Sequence, residues 1–191
     1  MAATSSRYNS VALVLHWLIA ALILTNIALA WRFDGLHGFD KDTLVQLHKS
    51  IGISILILSL ARLGWRLASP PPPLPQDMNA MEKSVARAVH GLFYVVMIGM
   101  PLTGWALSSA SPLIHIRPIT LFGLIPWPAI GALTHLPPAQ MTSAHNVATA
   151  AHHLLAKLAY GMIVLHVAAA MRHQFLLRDK VLLRMLPGAV R

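Results

Sequence analysis

The chain has 191 residues, of which 56% are hydrophobic and only 11% charged, and its mean hydropathy is +0.61. An average globular protein carries roughly 25% charged residues, so the composition excludes a water-soluble exterior and requires much of the surface to face lipid. The net charge of +9 would suit a nucleic-acid binder. However, Lys and Arg gather where apolar runs end, with no basic stripe and no interleaved aromatics. That distribution excludes nucleic acid and matches the cytoplasmic flanks of spanning helices. There is no cysteine, which excludes disulfides, thiolate metal sites, cysteine-held iron–sulfur clusters and covalent c-type haem.

In chain order, 24 uncharged residues separate Arg7 from Arg32 (YNSVALVLHWLIAALILTNIALAW). A spanning helix needs about 20 mostly apolar residues, so the first span is predicted over about 10–31. Ala28-Leu29-Ala30 offers a small-x-small cleavage site, but the apolar run exceeds the roughly 7–15 residues of a secretory core, and the segment reads as a retained anchor. The second span is predicted over 44–67, with Lys49 near one end and Arg62 and Arg66 near the other. Four prolines, Pro70 to Pro73, end it and stiffen the next linker. The third span, 86–108, contains Pro101, which predicts a kink whose freed backbone groups are satisfied by neighbours.

The next connection, 110–147, is long and rich in proline (Pro112, Pro118, Pro126, Pro128, Pro137, Pro138). It is also apolar at LFGLIPWPAIGAL, which places part of it in the membrane interface. The fourth span is predicted over 148–171, and no internal repeat is present. The expected fold is all-α: one integral membrane four-helix bundle over 1–191.

Charge sets the orientation. Arg7, Arg62, Arg66, Lys83, Arg87, Arg172, Arg178, Lys180, Arg184 and Arg191 fall on one side; Arg32, Lys41, Lys49 and Arg117 fall on the other. The positive side is cytoplasmic, so both termini are expected there.

Ionisable residues inside a span are costly and mark function or a partner. His16 and His166 sit toward the cytoplasmic side of spans one and four; His48 and His152 sit toward the outer side of spans two and four. On span four, His152 and His166 are 14 residues apart. They therefore share a face within about 40°, separated by about 21 Å along the axis. That separation suits two haems stacked across a hydrocarbon core of about 30 Å, each held by neutral imidazoles. The pairs are His16 with His166 and His48 with His152. His153 points about 140° away from His166 and is set aside. His90 begins span three at the depth of His16 and His166; depth does not choose which two of the three act as ligands, and the third is left to bond a propionate or a quinone. Zinc sites usually add Cys or carboxylate ligands, and no acidic residue falls in a span.

Arg62 and Arg66, one turn apart, are candidates for haem propionates or for lipid phosphate. Arg172 and His173, where span four exits, are candidates for a quinone-head site. Lys157 snorkels outward by default, with a role toward an outer propionate or an anionic reactant as the alternative. Trp17, Trp65 and Trp105 read first as interfacial belt residues.

LHWLIAALIL around His16, LHKSIGISILILSLARLGWRL around His48, AVHGLFYVVMIGMPLTG in span three and HHLLAKLAYGMIVLHVAAAMRHQFLLRDKVLLRMLP at the end resemble the bacterial di-haem cytochrome b-561 proteins. The likeness runs from Arg7 to Pro187 and is weakest in the outer loop. It implies two haem b groups, with His16, His48, His152 and His166 as axial ligands and His90 in a supporting role. It also implies electron transfer between the outer face and membrane quinone; one activity in the family is superoxide oxidation coupled to ubiquinone reduction. The position after the outer ligand, often acidic in the family, is His153 here. Two other readings are a haem-carrying relay subunit for a partner dehydrogenase or hydrogenase, and a haem-free protein with structural histidines. A reduced-minus-oxidised spectrum with iron counted per chain separates the last.

Overall fold

The computed structural model describes residues 8–74, 78–178 and 182–185. Arg7, Lys180, Arg191 and Pro187, used above for orientation and resemblance, lie outside the described residues. Helix α1 (Ser10–Ala30) starts at Asn9, whose Oδ1 accepts from Ala12 N at 2.9 Å, satisfying one of the free donors of a helix start. The helix is apolar on every side, with Ile19 its buried residue. An all-round apolar helix needs lipid as its solvent.

A short 3-10 turn (Phe33–Gly35) leads to α2 (Gly38–Ala68). Gly38 turns the chain at φ +61°, a conformation that only glycine adopts without cost. Helix α3 (Ala80–Ser109) opens with a capping box between Asn79 and Glu82. It continues as helix through Pro101, and the carbonyl just before that proline, on Met100, accepts from the Thr103 hydroxyl at 2.8 Å.

Helix α5 (Pro138–Met171) follows the four-residue turn α4 (Gly131–Thr134), and a π-helical turn, Arg172–Leu177, extends it. All four long helices are apolar and long enough to cross a membrane. Three begin before their apolar spans: α2 at Gly38, α3 at Ala80 and α5 at Pro138. Outside the hydrocarbon a helix needs only its own hydrogen bonds, so charge does not stop it. Residues 138–147, expected as loop, are therefore helix. Pro138 in the first turn, with its pre-set φ, is well suited to starting one.

The remaining loop carries a small antiparallel hairpin, β1 (Thr120–Leu121) with β2 (Ile125–Pro126), in register Thr120 to Pro126 and Leu121 to Ile125. We call the end of the bundle that bears it the loop end, and the opposite end the terminal end. At the terminal end, the 3-10 turn Leu182–Met185 folds back across the bundle. Trp17 Nε1 donates to Met185 O at 2.7 Å and Arg184 donates to Pro73 O at 3.1 Å.

Backbone packing joins α1 to α2, α2 to α3 and α3 to α5. Helix α5 meets α1 and α2 across the bundle through rings, such as Tyr160 with Trp31 at 6.1 Å between centroids. The bundle thus holds a slot between α5 and the α1–α2 pair, bridged by side chains.

Candidate haem-binding sites

Two pairs of imidazoles span that slot. At the loop end, His48 on α2 and His152 on α5 hold their ring centroids 6.3 Å apart at 70°. At the terminal end, His16 on α1 and His166 on α5 are also 6.3 Å apart, at 64°. A first-row metal–imidazole bond is about 2 Å, and the nitrogen sits about 1 Å from its ring centre; imidazoles on opposite sides of one metal thus place their centroids roughly 6 Å apart. Both pairs have that spacing.

The hydrogen bonds of the loop-end pair define which nitrogen is free. His48 Nδ1 lies 3.2 Å from Asn26 O, so it carries the proton and donates. His152 Nδ1 lies 3.1 Å from Met100 O and 3.1 Å from Thr103 Oγ1. Since the Thr103 hydroxyl gives its hydrogen to Met100 O, it accepts from His152. Each ring then presents an unprotonated Nε2 to the slot, the arrangement of a metal-ligating histidine fixed by a second hydrogen bond. Among the described residues, no hydrogen bond engages Nε2 of His48 or His152, or either nitrogen of His16 or His166. Half-buried imidazoles without partners inside a span are costly unless something in the slot takes them.

The backbone is shaped for this. A Cβ at Gly104 would come 3.2 Å from His152 Cε1, so glycine there lets the ring lie against α3. Phe33 packs edge-on to His48 at 5.3 Å and Phe93 to His166 at 5.2 Å. Among the described residues, no three His, Cys, Asp or Glu side chains gather as a direct metal site. Each site has paired imidazoles instead, a donor set that fits a haem iron.

His90 lies 6.1 Å from His166, at 83°. His166 therefore faces His16 and His90 at nearly the same distance, and spacing admits either as its partner. They differ in anchoring: His90 Nδ1 donates to Ala86 O one turn back at 2.7 Å. His153 is exposed, on the outer surface of α5.

Arg62 donates to Ala12 O at 3.2 Å, one turn from His16, and Arg66 lies 5.9 Å above the Tyr94 ring. Both line a cleft of about 310 Å³ at the terminal end, with Asn9, Trp65, Tyr94 and Pro72. Trp65 donates to Asn9 Oδ1 at 3.0 Å, a partner at that depth which composition alone did not reveal. Arg172 lies 3.8 Å from Glu82, both partly exposed, and neither Arg172 nor His173 lines the cleft. At the loop end Arg117 is paired with Asp42, so much of its charge is spent locally. Lys41 and Lys49 are half-buried and Lys157 is exposed.

Thr103 gives the first prediction. Thr103→Val removes one acceptor from His152 Nδ1–H, making the imidazole a weaker electron donor. The midpoint potential of a haem held by His48 and His152 would rise by an amount on the order of tens of millivolts. A redox titration followed in the visible spectrum checks it.

The family model for prokaryotic cytochrome b561 matches residues 7–188. The chain is 31% identical over 185 residues to the probable superoxide oxidase CybB of Yersinia pestis, covering 95% of this chain and 96% of that protein. It is 32% identical over 186 residues to cytochrome b561 homolog 2 of Escherichia coli, covering 96% and 93%. A cytochrome b562 of Cereibacter sphaeroides is 24% identical over 188 residues, covering 94% of each. The chain therefore belongs to the prokaryotic cytochrome b561 family, which makes it a bacterial membrane protein of electron transfer and implies haem b as its cofactor.

Proposed function

We propose that the protein is an inner-membrane oxidoreductase that binds two haem b groups and passes electrons from the periplasmic face to ubiquinone, with superoxide as the donor. The observation that carries this reading is the pair of imidazole couples, each at the spacing of a bis-imidazole metal and at opposite ends of one slot. His48 and His152 would hold the outer haem, and His16 and His166 the cytoplasmic one. Haem b, when bound, supplies a one-electron carrier at each site. The positive-inside bias of Lys and Arg supports cytoplasmic termini and with them a loop end that faces outward.

The chain's own contribution is electrostatic and positional. Each superoxide gives up one electron and leaves as dioxygen; ubiquinone takes up two electrons and two protons to become the quinol. Lys49 adjoins His48, and with Lys41 and Lys157 it raises the local concentration of a small anion. Arg117, neutralised by Asp42, contributes less than its charge implies. Arg62 and Arg66, which line the terminal-end cleft, would pair with the propionates of the cytoplasmic haem. His90 would support that site from α3, and Arg172 and His173, where α5 exits, would meet a quinone head. The name of the Yersinia relative supports the reaction.

The test is direct. Superoxide added to the oxidised, purified protein should reduce haem within the mixing time, and the rate should fall as salt rises. Lys49→Gln should slow it by about 3- to 10-fold at low salt. No haem reduction by superoxide would sink the donor assignment while leaving quinone reactivity to be measured separately.

A further inference from the structure

We propose that the hairpin Thr120–Pro126 is a re-entrant element buried among the lipid acyl chains of the leaflet at the loop end, with Phe122, Leu124 and Ile125 in contact with lipid. Helix α1 has 21 residues and so spans about 31 Å, the thickness of the hydrocarbon core, which puts Ala30 at its loop-end boundary. His48 Nδ1 bonds Asn26 O, and a Cβ on Gly52 would lie 3.9 Å from Asn26 Nδ2. Ser50, between them on α2, is thus level with Asn26, about 6 Å beneath Ala30.

The hairpin hangs on Ser50. The serine hydroxyl, fully buried, accepts from Phe122 N at 2.8 Å and donates between Gln46 O at 2.8 Å and Thr120 O at 3.1 Å. The Arg117–Asp42 pair lies outside the same boundary, since Asp42 precedes Ser50 on α2 by about 12 Å. The chain therefore descends from a charged pair at headgroup level to the hairpin below it.

Much of the backbone flanking the turn is hydrogen-bonded, although Trp127 Nε1 and Gln46 Oε1 are buried without a partner among the described residues. Irregular backbone survives at membrane depth only when its N–H and C=O groups are taken. Gln46 Nε2 donates to Pro118 O at 2.8 Å, Trp127 N to Ile119 O at 2.9 Å, Leu124 N to Leu121 O at 2.9 Å and Ile130 N to Ser109 Oγ at 3.0 Å. Pro118, Pro126 and Pro128 carry no N–H to satisfy, which gives the loop's prolines a purpose beyond breaking helices. Phe122 (φ +52°) and Gly123 (φ +71°) make the tight reversal that keeps the turn short.

The loop's apolar side chains divide between two faces. Ile114 and Ile119 are buried against the bundle, while Phe122, Leu124 and Ile125 are 57%, 84% and 60% exposed. An exposed apolar cluster is unfavourable in water and favourable in acyl chains. Lipid is the occupant because the cluster sits at hydrocarbon depth.

The chain has no cysteine, so single-cysteine labelling needs no background removal. Leu124→Cys and Ile125→Cys, each carrying a nitroxide, would be reconstituted as full-length holoprotein in phosphatidylglycerol–phosphatidylcholine vesicles. Leu60→Cys serves as the lipid-facing reference and Asp40→Cys as the water-facing one. By power-saturation electron paramagnetic resonance, both hairpin labels should show collisions with oxygen several-fold above those with a water-soluble nickel chelate, matching Leu60. Nickel accessibility equal to that of Asp40 overturns the proposal. So does dipolar broadening that vanishes on dilution with unlabelled protein, which would make the occupant a second copy. An unchanged haem spectrum shows that each variant is folded.

Discussion

His152→Ala and His166→Ala are each expected to lower bound iron from two per chain to one, and to do so at different sites. Each removes one imidazole of a couple whose centroids stand 6.3 Å apart. Loss of a ligand exceeds loss of a supporting hydrogen bond, which already costs about 10- to 100-fold in metal affinity or activity. In His166→Ala, quinone reduction should fall by at least about 100-fold, while superoxide still reduces the remaining haem. In His152→Ala, superoxide should no longer reduce the protein, while added ubiquinol still does. Pyridine haemochromogen analysis with iron counting reads the first effect; stopped-flow spectra read the second. A His166→Met variant keeps a ligating side chain and should keep haem at a raised potential. Retention of two irons in both alanine variants would contradict the assignment of axial ligands.

The second large effect separates His16 from His90. Both face His166, at 6.3 and 6.1 Å, so geometry alone leaves the partner open. The two rings differ in what holds them: His90 Nδ1 is tied to its own helix at Ala86 O, and His16 has the Arg62 guanidinium one turn away at Ala12 O. His16→Ala is expected to abolish the cytoplasmic haem, with iron falling to one per chain. His90→Ala is expected to retain both irons and move only the potential of that haem. If His90→Ala loses an iron and His16→Ala keeps two, the partners exchange roles. The spectra of the two variants, taken with that of His166→Ala, decide it.

The four long helices were legible in the sequence because burial in lipid requires a nearly unbroken apolar run, a demand satisfied by residues adjacent in sequence. The helical phase of His152 against His166 was legible for the same reason, since one helix carries both. The true helix ends were less so. Asp40, Lys41 and Asp42 on α2, and residues 138–147 on α5, are helical outside the hydrocarbon, where hydropathy has no say and local hydrogen bonding decides.

The hairpin was not legible as a fold. Its anchor is Ser50, seventy residues away from Thr120 in sequence, and a lone serine in a span carries no signature of what it will bind. The neighbours of His152 were hidden for the same reason: Thr103, Met100 and Gly104 belong to another helix. Arg117 counted in the sequence only as an outer-side charge; the fold brings Asp42 beside it.

By itself, then, the sequence determined that this chain crosses a membrane four times and carries imidazoles at two depths, because hydropathy and helical pitch act along the chain. The tertiary structure alone decided that those imidazoles meet across a slot at metal-bridging distance, with Nδ1 of His48 and His152 tied to backbone carbonyls and Nε2 left free. That is a matter of which helix packs beside which, and interhelical contacts depend on side-chain fit between segments far apart in sequence.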